Sequence, residues 1–228
     1  MGVFYIDPYP REEKRDGAWM NGLVDVAPGS SARTRIAVVV ANVTPPRAPG
    51  GRALLNHREV TTLFHEMGHA LHGLFSDVTY PTVAGTATPR DFVEFPSTFE
   101  EDWAIQPEIL ANYARHYQTG VQIPKELLNK AVSAKKFNKG FETLEYLAAA
   151  LLDLEWHSLT SDQIPADVEL FEAASLKKVG ANHPAVPPRY RTAYFAHIWS
   201  GGYSSSYYAY LWSEVLAADA FAHMMAKG

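Results

Sequence analysis

The hydrophobic pattern of the chain changes near residue 50, from short runs typical of strands to the three-and-four spacing of helices. Two β-prone runs come first, at residues 3–6 and, more fully, at residues 35–40. A segment rich in Pro and Gly, residues 44–51, follows the second run and predicts a loop. We therefore expect a small sheet near the N-terminus followed by a helical body, a fold that is mainly α.

The first helical pattern is clearly amphipathic. Apolar side chains recur every three or four positions, at Val60, Leu63, Phe64, Met67, Leu71 and Leu74. Asn56 or His57 directly precedes this pattern, and Glu59 lies near its start, as is typical of a helix N-terminus. Further helices are predicted over residues 92–104, 107–118, 124–137, 139–160, 166–179 and 204–226. The chain then divides into a β and loop region, residues 1–55, and a helical body, residues 56–228.

The composition excludes several classes of protein. The chain has 228 residues, 47% of them hydrophobic and none of them cysteine, so a bound metal would need His, Asp or Glu ligands. The formal net charge of -5 argues against a nucleic-acid partner. Residues 144–154 are the longest apolar-leaning stretch, which is too short to span a membrane. Because residues 1–20 show no export signal, we expect a cytoplasmic location.

Two histidines four residues apart lie within the first predicted helix. His65, Glu66 and His69 form the pattern H-E-x-x-H. Positions i and i+4 share one helix face, so both imidazoles can reach one cation, as tetrahedral zinc requires. Glu66 points elsewhere around the axis, beside the metal, where it can accept a proton from water. The position of this helix after a β-prone segment favours a metallopeptidase site over a chance match.

A catalytic zinc site needs a third protein ligand from another element. Glu94 follows a loop rich in Gly and Pro and starts the next helical pattern, in whose first turn Pro96 fits well. Spacing alone leaves four rival carboxylates open, namely Asp77, Asp91, Glu100 and Glu101. His72 shares the helix face of His65, but three ligands on one straight helix would span too far. We expect His72 to have a supporting role, and whether Glu100 or Glu101 orients a histidine stays open.

Three short segments together resemble a known family. Residues 65–72 read HEMGHALH, residues 85–89 read GTATP, and residues 94–97 read EFPS. This succession resembles the thimet oligopeptidase family of zinc metallopeptidases, in which H-E-F-G-H-x-L-H precedes a Gly-rich loop and E-[FL]-P-S. The resemblance implies a zincin-like catalytic core in which His65, His69 and Glu94 bind zinc and Glu66 is the general base.

A second block resembles the same family. Residues 197–212 read HIWSGGYSSSYYAYLW, similar to the family segment H-x(4–5)-G-Y-x(3)-Y-Y-x-Y-x-W. The resemblance implies that His197, Tyr203 and Tyr210 face the scissile bond, where phenol and imidazole donors can stabilise an oxyanion. Without it, packing in an aromatic core would be the more ordinary interpretation, and Tyr207 and Tyr208 fit that role in either case.

Residues 88–97 and 186–191 look most like the bacterial peptidyl-dipeptidases, also called dipeptidyl carboxypeptidases, which remove dipeptides from free C-termini. Arg189 or Arg191 would then hold the terminal carboxylate of the substrate bidentately, although an ordinary surface arginine is the alternative. The run at residues 36–40 is a candidate edge strand for pairing with the substrate backbone, or else a plain sheet strand.

The resemblance covers nearly the whole chain, but members of the family are several times longer. We therefore expect residues 1–228 to form part of a catalytic domain, with the N-terminal helical lobe and the C-terminal end of the family fold outside them. Short peptides are the expected substrates. Three functions stay open: release of C-terminal dipeptides, internal cleavage by an endo-acting oligopeptidase, or a zinc-binding fragment without activity that self-associates through exposed apolar surface.

Overall fold

A computed structural model describes residues 2–24, 34–134 and 136–227 of the chain. Three strands come first: β1, Gly2–Asp7; β2, Trp19–Val24; and β3, Arg35–Val40. Eight helices follow in these residues: α1, His57–Phe75; α2, Phe95–Trp103; α3, Pro107–Tyr113; α4, Lys125–Ala134; α5, Lys139–His157; α6, Val168–Lys178; α7, Ala196–Trp199; and α8, Ala209–Lys227. The predicted class, mainly helical with a small N-terminal sheet, is confirmed. Within the described ranges, no helix combines the length and apolar character needed to cross a membrane.

The chain forms two compact units. The first consists of Met1–Lys125 and Ser213–Gly228, and the second of Glu126–Trp212. The sheet and α1 to α3 therefore belong to the first unit, whereas α5 to α7 belong to the second. Residues 55 and 56, where the sequence pattern changes from strands to helices, lie inside the first unit.

The sheet has the strand order β1-β3-β2, with β1 parallel and β2 antiparallel to β3. Ala37 and Val39 of β3 point to one face and are buried against Ala70 of α1. Because β3 is hydrogen-bonded on both sides, residues 36–40 form a plain sheet strand, and the alternative of an edge strand for a substrate is wrong. The backbone groups of β3 that a peptide would need are already paired with β1 and β2.

The start of α1 is fixed by a capping box. Asn56 accepts a hydrogen bond from the Glu59 N–H, and the Glu59 carboxylate accepts one from the Asn56 N–H. The same carboxylate accepts from the N–H and the hydroxyl of Thr44, at 2.7 and 2.6 Å. These bonds from Thr44 and Asn56 lower the pKa of Glu59. Glu59 thereby fastens the first turn of α1 to the segment that leaves β3.

The helices α1 and α2 meet at Gly68. A Cβ atom at this position would lie 2.5 Å from the carbonyl oxygen of Pro96 and 2.6 Å from the Cα of Ser97. Both neighbours are backbone atoms, which cannot turn away as a flexible side chain would. Only glycine permits this approach. The contact brings the first turn of α2, and with it Glu94, close to the histidine face of α1.

Replacing Gly68 by Ala should push α2 away from α1. We expect overpacking to lower the free energy of unfolding by about 1–3 kcal/mol, measured by urea unfolding. Gly140→Ala is the matched control, because a Cβ there meets no atom within 4 Å. It should be neutral or stabilising by up to about 1 kcal/mol, since alanine favours helices. Equal destabilisation by both substitutions would contradict the close approach at Gly68.

Candidate metal centre

Three side chains of the first unit converge on one point. The Nε2 atoms of His65 and His69 lie 3.3 and 3.1 Å from the Oε2 atom of Glu94. One ligand atom from each residue lies within 4.8 Å of the others. Ligand atoms about 2.0–2.1 Å from a tetrahedral zinc ion would lie roughly 3.3 Å apart. Both nitrogen–oxygen distances match this spacing, and the three ligand types suit zinc.

Local features of α1 and α2 set the positions of these three ligands. His65 and His69 are one turn apart on α1, and their rings meet edge to face at 5.0 Å. Glu94 is the residue before α2, and Pro96 occupies the first turn, as predicted. The hydroxyl of the fully buried Ser97 donates to Glu94 Oε2 at 3.0 Å and also to the Glu94 backbone carbonyl. Ser97 thus fixes the orientation of the carboxylate, a role the sequence did not assign to it.

Glu101 holds the other side of His65. Its Oε1 atom lies 2.7 Å from His65 Nδ1, so the ring can donate there and turn the lone pair of Nε2 toward a metal. Glu101 lies seven residues after Glu94, hence on the same face of α2. Glu100 instead lines a separate cavity with Leu71 and Phe75. Of the two carboxylates left open by the sequence, Glu101 is the one in contact with a histidine.

The charges of this group are strongly coupled. Burial alone would lower the pKa of His65, but hydrogen bonds to Glu101 and Glu94 raise it to about 10. Burial alone would raise the pKa of Glu94, but hydrogen bonds from His65 and His69 lower it overall. Without a metal, His65 therefore carries a proton between two carboxylates. This proton stabilises the fold below pH 6.5, and the stabilisation disappears as the pH rises through about 10.

Glu66 is a buried carboxylate next to the ligands. Its Oε2 atom is buried without a hydrogen-bond partner. Burial raises the pKa of Glu66, and the attraction of His65 and His69 offsets only part of that rise. A poorly solvated carboxylate with one unpartnered oxygen beside a candidate metal site is suited to taking up a proton during a reaction.

His72 lies outside the group of three ligands, as expected. Its Nδ1 atom is buried without a partner, its ring meets Phe92 edge-on at 6.5 Å, and burial lowers its pKa. Asp77 and Asp91, two of the rival carboxylates, also lie outside the group.

The second unit brings His197, Tyr203 and Tyr210 together. The ring of His197 lies 6.0 Å from Tyr203 and 6.3 Å from Tyr210, and the two tyrosines stack at 5.3 Å. Tyr207 lies among them, 5.4 Å from His197 and 5.6 Å from Tyr210, and is only 3% exposed. Tyr207 therefore packs in the core, as predicted, whereas Tyr208 is exposed.

The two candidate arginines of the second unit differ in their partners. Arg191 Nε lies 2.5 Å from an oxygen of the buried Glu172. Arg189 is exposed, and its side chain interacts with Tyr190 and Tyr207, which raise the pKa of its guanidinium although burial opposes them. Arg191 is thus engaged by a buried carboxylate, whereas the side chain of Arg189 interacts with two tyrosines.

Removing the carboxylate behind His65 should weaken metal binding. We expect Glu101→Ala to reduce the affinity for Zn²⁺ by about 10–100-fold, because His65 loses the acceptor that orients its ring. Glu100→Ala is the matched control on the same helix and should change the affinity little. Competition with a chromophoric chelator measures both, and equal losses would exclude an orienting role for Glu101.

Metal binding should release a proton from His65. Because its pKa is about 10 in the metal-free protein, Zn²⁺ must displace that proton at neutral pH. We expect release of about one proton per metal ion, and an affinity that falls as the pH is lowered. Calorimetric titration in two buffers of different ionisation enthalpy measures the proton count. Binding with no proton release would contradict the proposed coupling of His65 to Glu94 and Glu101.

Comparisons with known proteins identify the family of the chain. The profile of Peptidase family M3 matches residues 1–228. Dipeptidyl carboxypeptidase of Escherichia coli (strain K12) is 47% identical over 230 residues, which cover 100% of this chain and 33% of that protein. Oligopeptidase A of the same organism is 40% identical over 231 residues, 100% of this chain and 34% of that protein. Mitochondrial intermediate peptidase of Mycosarcoma maydis is 32% identical over 193 residues, 80% of this chain and 21% of that protein.

The chain therefore spans about a third of the length of the first two relatives. The family profile covers both segments that carried the resemblance in the sequence, the one around His65 and the one around Tyr203. With the match extending over all 228 residues, the chain belongs to Peptidase family M3.

Proposed function

We propose that this chain carries the zinc site of a peptidase that hydrolyses short peptides. The observation that carries the proposal is the convergence of His65, His69 and Glu94 beside the buried Glu66, whose Oε2 atom has no hydrogen-bond partner. The relatives are named as peptidases, which supports the same reaction class for the complete protein. The proposal includes the cytoplasmic location expected from the sequence.

Zinc is the proposed metal because two imidazoles and one carboxylate form a usual ligand set for catalytic zinc. When bound, it supplies Lewis-acid activation of water and of the peptide carbonyl. Glu66 accepts the proton of the attacking water and returns it to the leaving amine. Ser97 and Glu101 hold Glu94 and His65 in place during this exchange.

We assign His197, Tyr203 and Tyr210 as donors to the oxyanion of the tetrahedral intermediate. This assignment is supported by the family resemblance of residues 197–212 and by the mutual contacts of the three rings within the second unit. The phenol groups would donate hydrogen bonds to negative charge that develops as the carbonyl is attacked.

Release of C-terminal dipeptides is the proposed specificity, since the dipeptidyl carboxypeptidase of Escherichia coli is more similar to this chain than oligopeptidase A is. Arg189 is the proposed partner of the substrate carboxylate, because Arg191 already pairs with Glu172. The alternative is internal cleavage, favoured by the match to oligopeptidase A. A second alternative is a zinc-binding chain that self-associates without activity, favoured by exposed apolar side chains such as Phe75.

The test is cleavage of short unblocked peptides by the zinc-loaded chain, with products identified by mass spectrometry. We expect loss of two residues at a time from the C-terminus. Glu66→Gln should bind zinc normally but lower the rate by about 10²–10⁴-fold, because no base accepts the proton. Internal cuts would replace the dipeptidase proposal by an oligopeptidase, and zinc binding without any cleavage would favour the inactive alternative.

Peptides with an amidated C-terminus provide the control for specificity. If Arg189 binds the terminal carboxylate, Arg189→Ala should raise KM for free-acid peptides and leave the poor cleavage of amidated peptides unchanged. Arg191→Ala is the matched variant, and any change it makes in cleavage should be the same for free-acid and amidated peptides. An equal loss on both kinds for Arg189→Ala would exclude this role.

A further inference from the structure

The second unit contains a buried carboxylate that the proposed mechanism does not use. Asp153 lies on α5 and has 0% of its surface exposed. Its Oδ1 atom accepts a hydrogen bond from the Ser205 N–H at 3.0 Å, and its Oδ2 atom accepts one from the Tyr207 N–H at 2.9 Å. Burying a charge is unfavourable unless hydrogen bonds or an opposite charge compensate for the lost hydration. The carboxylate of Asp153 receives part of this compensation from two N–H groups of one loop.

The loop that Asp153 holds has an unfavourable backbone conformation. Gly202 and Ser205 have φ angles of 79° and 55°, in the left-handed region that a serine rarely adopts. At Gly201, a Cβ atom would lie 2.9 Å from both the Cα and the carbonyl oxygen of His197. A loop of this shape needs bonds from outside itself, and Asp153 supplies one at Ser205 and a second at Tyr207.

Tyr207 connects this anchor to the proposed oxyanion donors. Its N–H is held by Asp153, and its carbonyl accepts a hydrogen bond from the hydroxyl of Tyr146. Tyr146 and Asp153 are seven residues apart, so both lie on one face of α5 and hold the peptide groups on either side of Tyr207. The ring of Tyr207 then packs against His197 and Tyr210.

We propose that Asp153 is a positioning residue, which holds the loop of residues 200–208 so that Tyr207 keeps His197, Tyr203 and Tyr210 in their reactive arrangement. This inference rests on the proposed function for the roles of those three residues, and on the geometry alone for the anchoring. His157 completes the anchor, since its Nδ1 atom lies 2.7 Å from Asp153 Oδ1 and its ring packs 5.5 Å from Trp199.

The same unit offers a matched control. Glu172 is a second buried carboxylate, which accepts hydrogen bonds from the N–H and hydroxyl of Thr192 and pairs with Arg191. It holds the segment before α7 and makes none of the described contacts with Ser205 or Tyr207. Comparing Asp153→Asn with Glu172→Gln therefore separates the loop anchor from the general effect of altering a buried carboxylate.

The experiment measures hydrogen exchange and kinetics on the zinc-loaded chain. An Asn side chain has the size of Asp153 but only one oxygen, so one of the two loop N–H groups loses its acceptor. In Asp153→Asn we expect at least one of the Ser205 and Tyr207 amides, the one that loses its acceptor, to exchange about tenfold faster or more. We expect kcat to fall by about 10–100-fold, with KM and bound zinc nearly unchanged, because the donors are misplaced. Glu172→Gln should leave exchange at these two amides unchanged.

Three results would overturn the proposal. One is unchanged exchange at Ser205 and Tyr207 in Asp153→Asn. The second is faster exchange with an unchanged kcat for each zinc-loaded molecule. The third is an equal fall in kcat for Glu172→Gln while both loop amides stay protected. If the wild-type chain binds zinc but cleaves no peptide, the proposed function fails, and the exchange measurement still decides whether Asp153 holds the loop.

Discussion

The absence of a side chain at Gly68 is the constraint on which the candidate metal centre depends. His65 and His69 come together through helix geometry alone, but their third partner must arrive from another element. The backbone of Pro96 and Ser97 lies where a Cβ of residue 68 would be, so α2 packs against α1 at backbone distance. This approach places Glu94 at 3.1 and 3.3 Å from the two imidazoles. In the H-E-x-G-H form of the motif, the glycine therefore permits the helix packing that brings the third ligand to the two histidines.

A second regularity is that buried or partly buried polar groups hold the candidate functional side chains in place. Ser97 fixes Glu94, Glu101 fixes His65, and Asp153 fixes the backbone of Tyr207. The bonds of Ser97 and Asp153 are buried and that of Glu101 is partly buried, so each is stronger than the same contact at the surface would be. The same contacts leave coupled charges around His65, which holds a proton between two carboxylates in the absence of metal. A metal ion that binds there replaces this proton.

Much of this could be predicted from the sequence, and the failures have physical causes. The spacing of His65 and His69 predicted one helix face, and the start of the helix was predicted at Asn56 or His57, of which Asn56 is the cap. Spacing could not rank Glu94 against Glu101, because both lie on one face of α2 and only the approach at Gly68 decides which reaches the metal. The sequence left β3 open as an edge or a plain sheet strand, although its unbroken apolar run is typical of a central strand. The role of Asp153 could not be predicted, because its partners are backbone N–H groups about fifty residues away, and no sequence pattern marks such contacts.

The most direct test of the account is X-ray absorption spectroscopy at the zinc edge of the wild-type chain loaded with zinc. If α1 and α2 together form the site, metal analysis should give one zinc ion per chain, and the spectrum should show two imidazole nitrogens and oxygen ligands in a four-coordinate shell at about 2.0–2.1 Å. The same measurement on Glu94→Ala should show a changed oxygen shell. A wild-type spectrum with one imidazole or none, or one that Glu94→Ala leaves unaltered, would contradict the claim that these two helices build the metal centre.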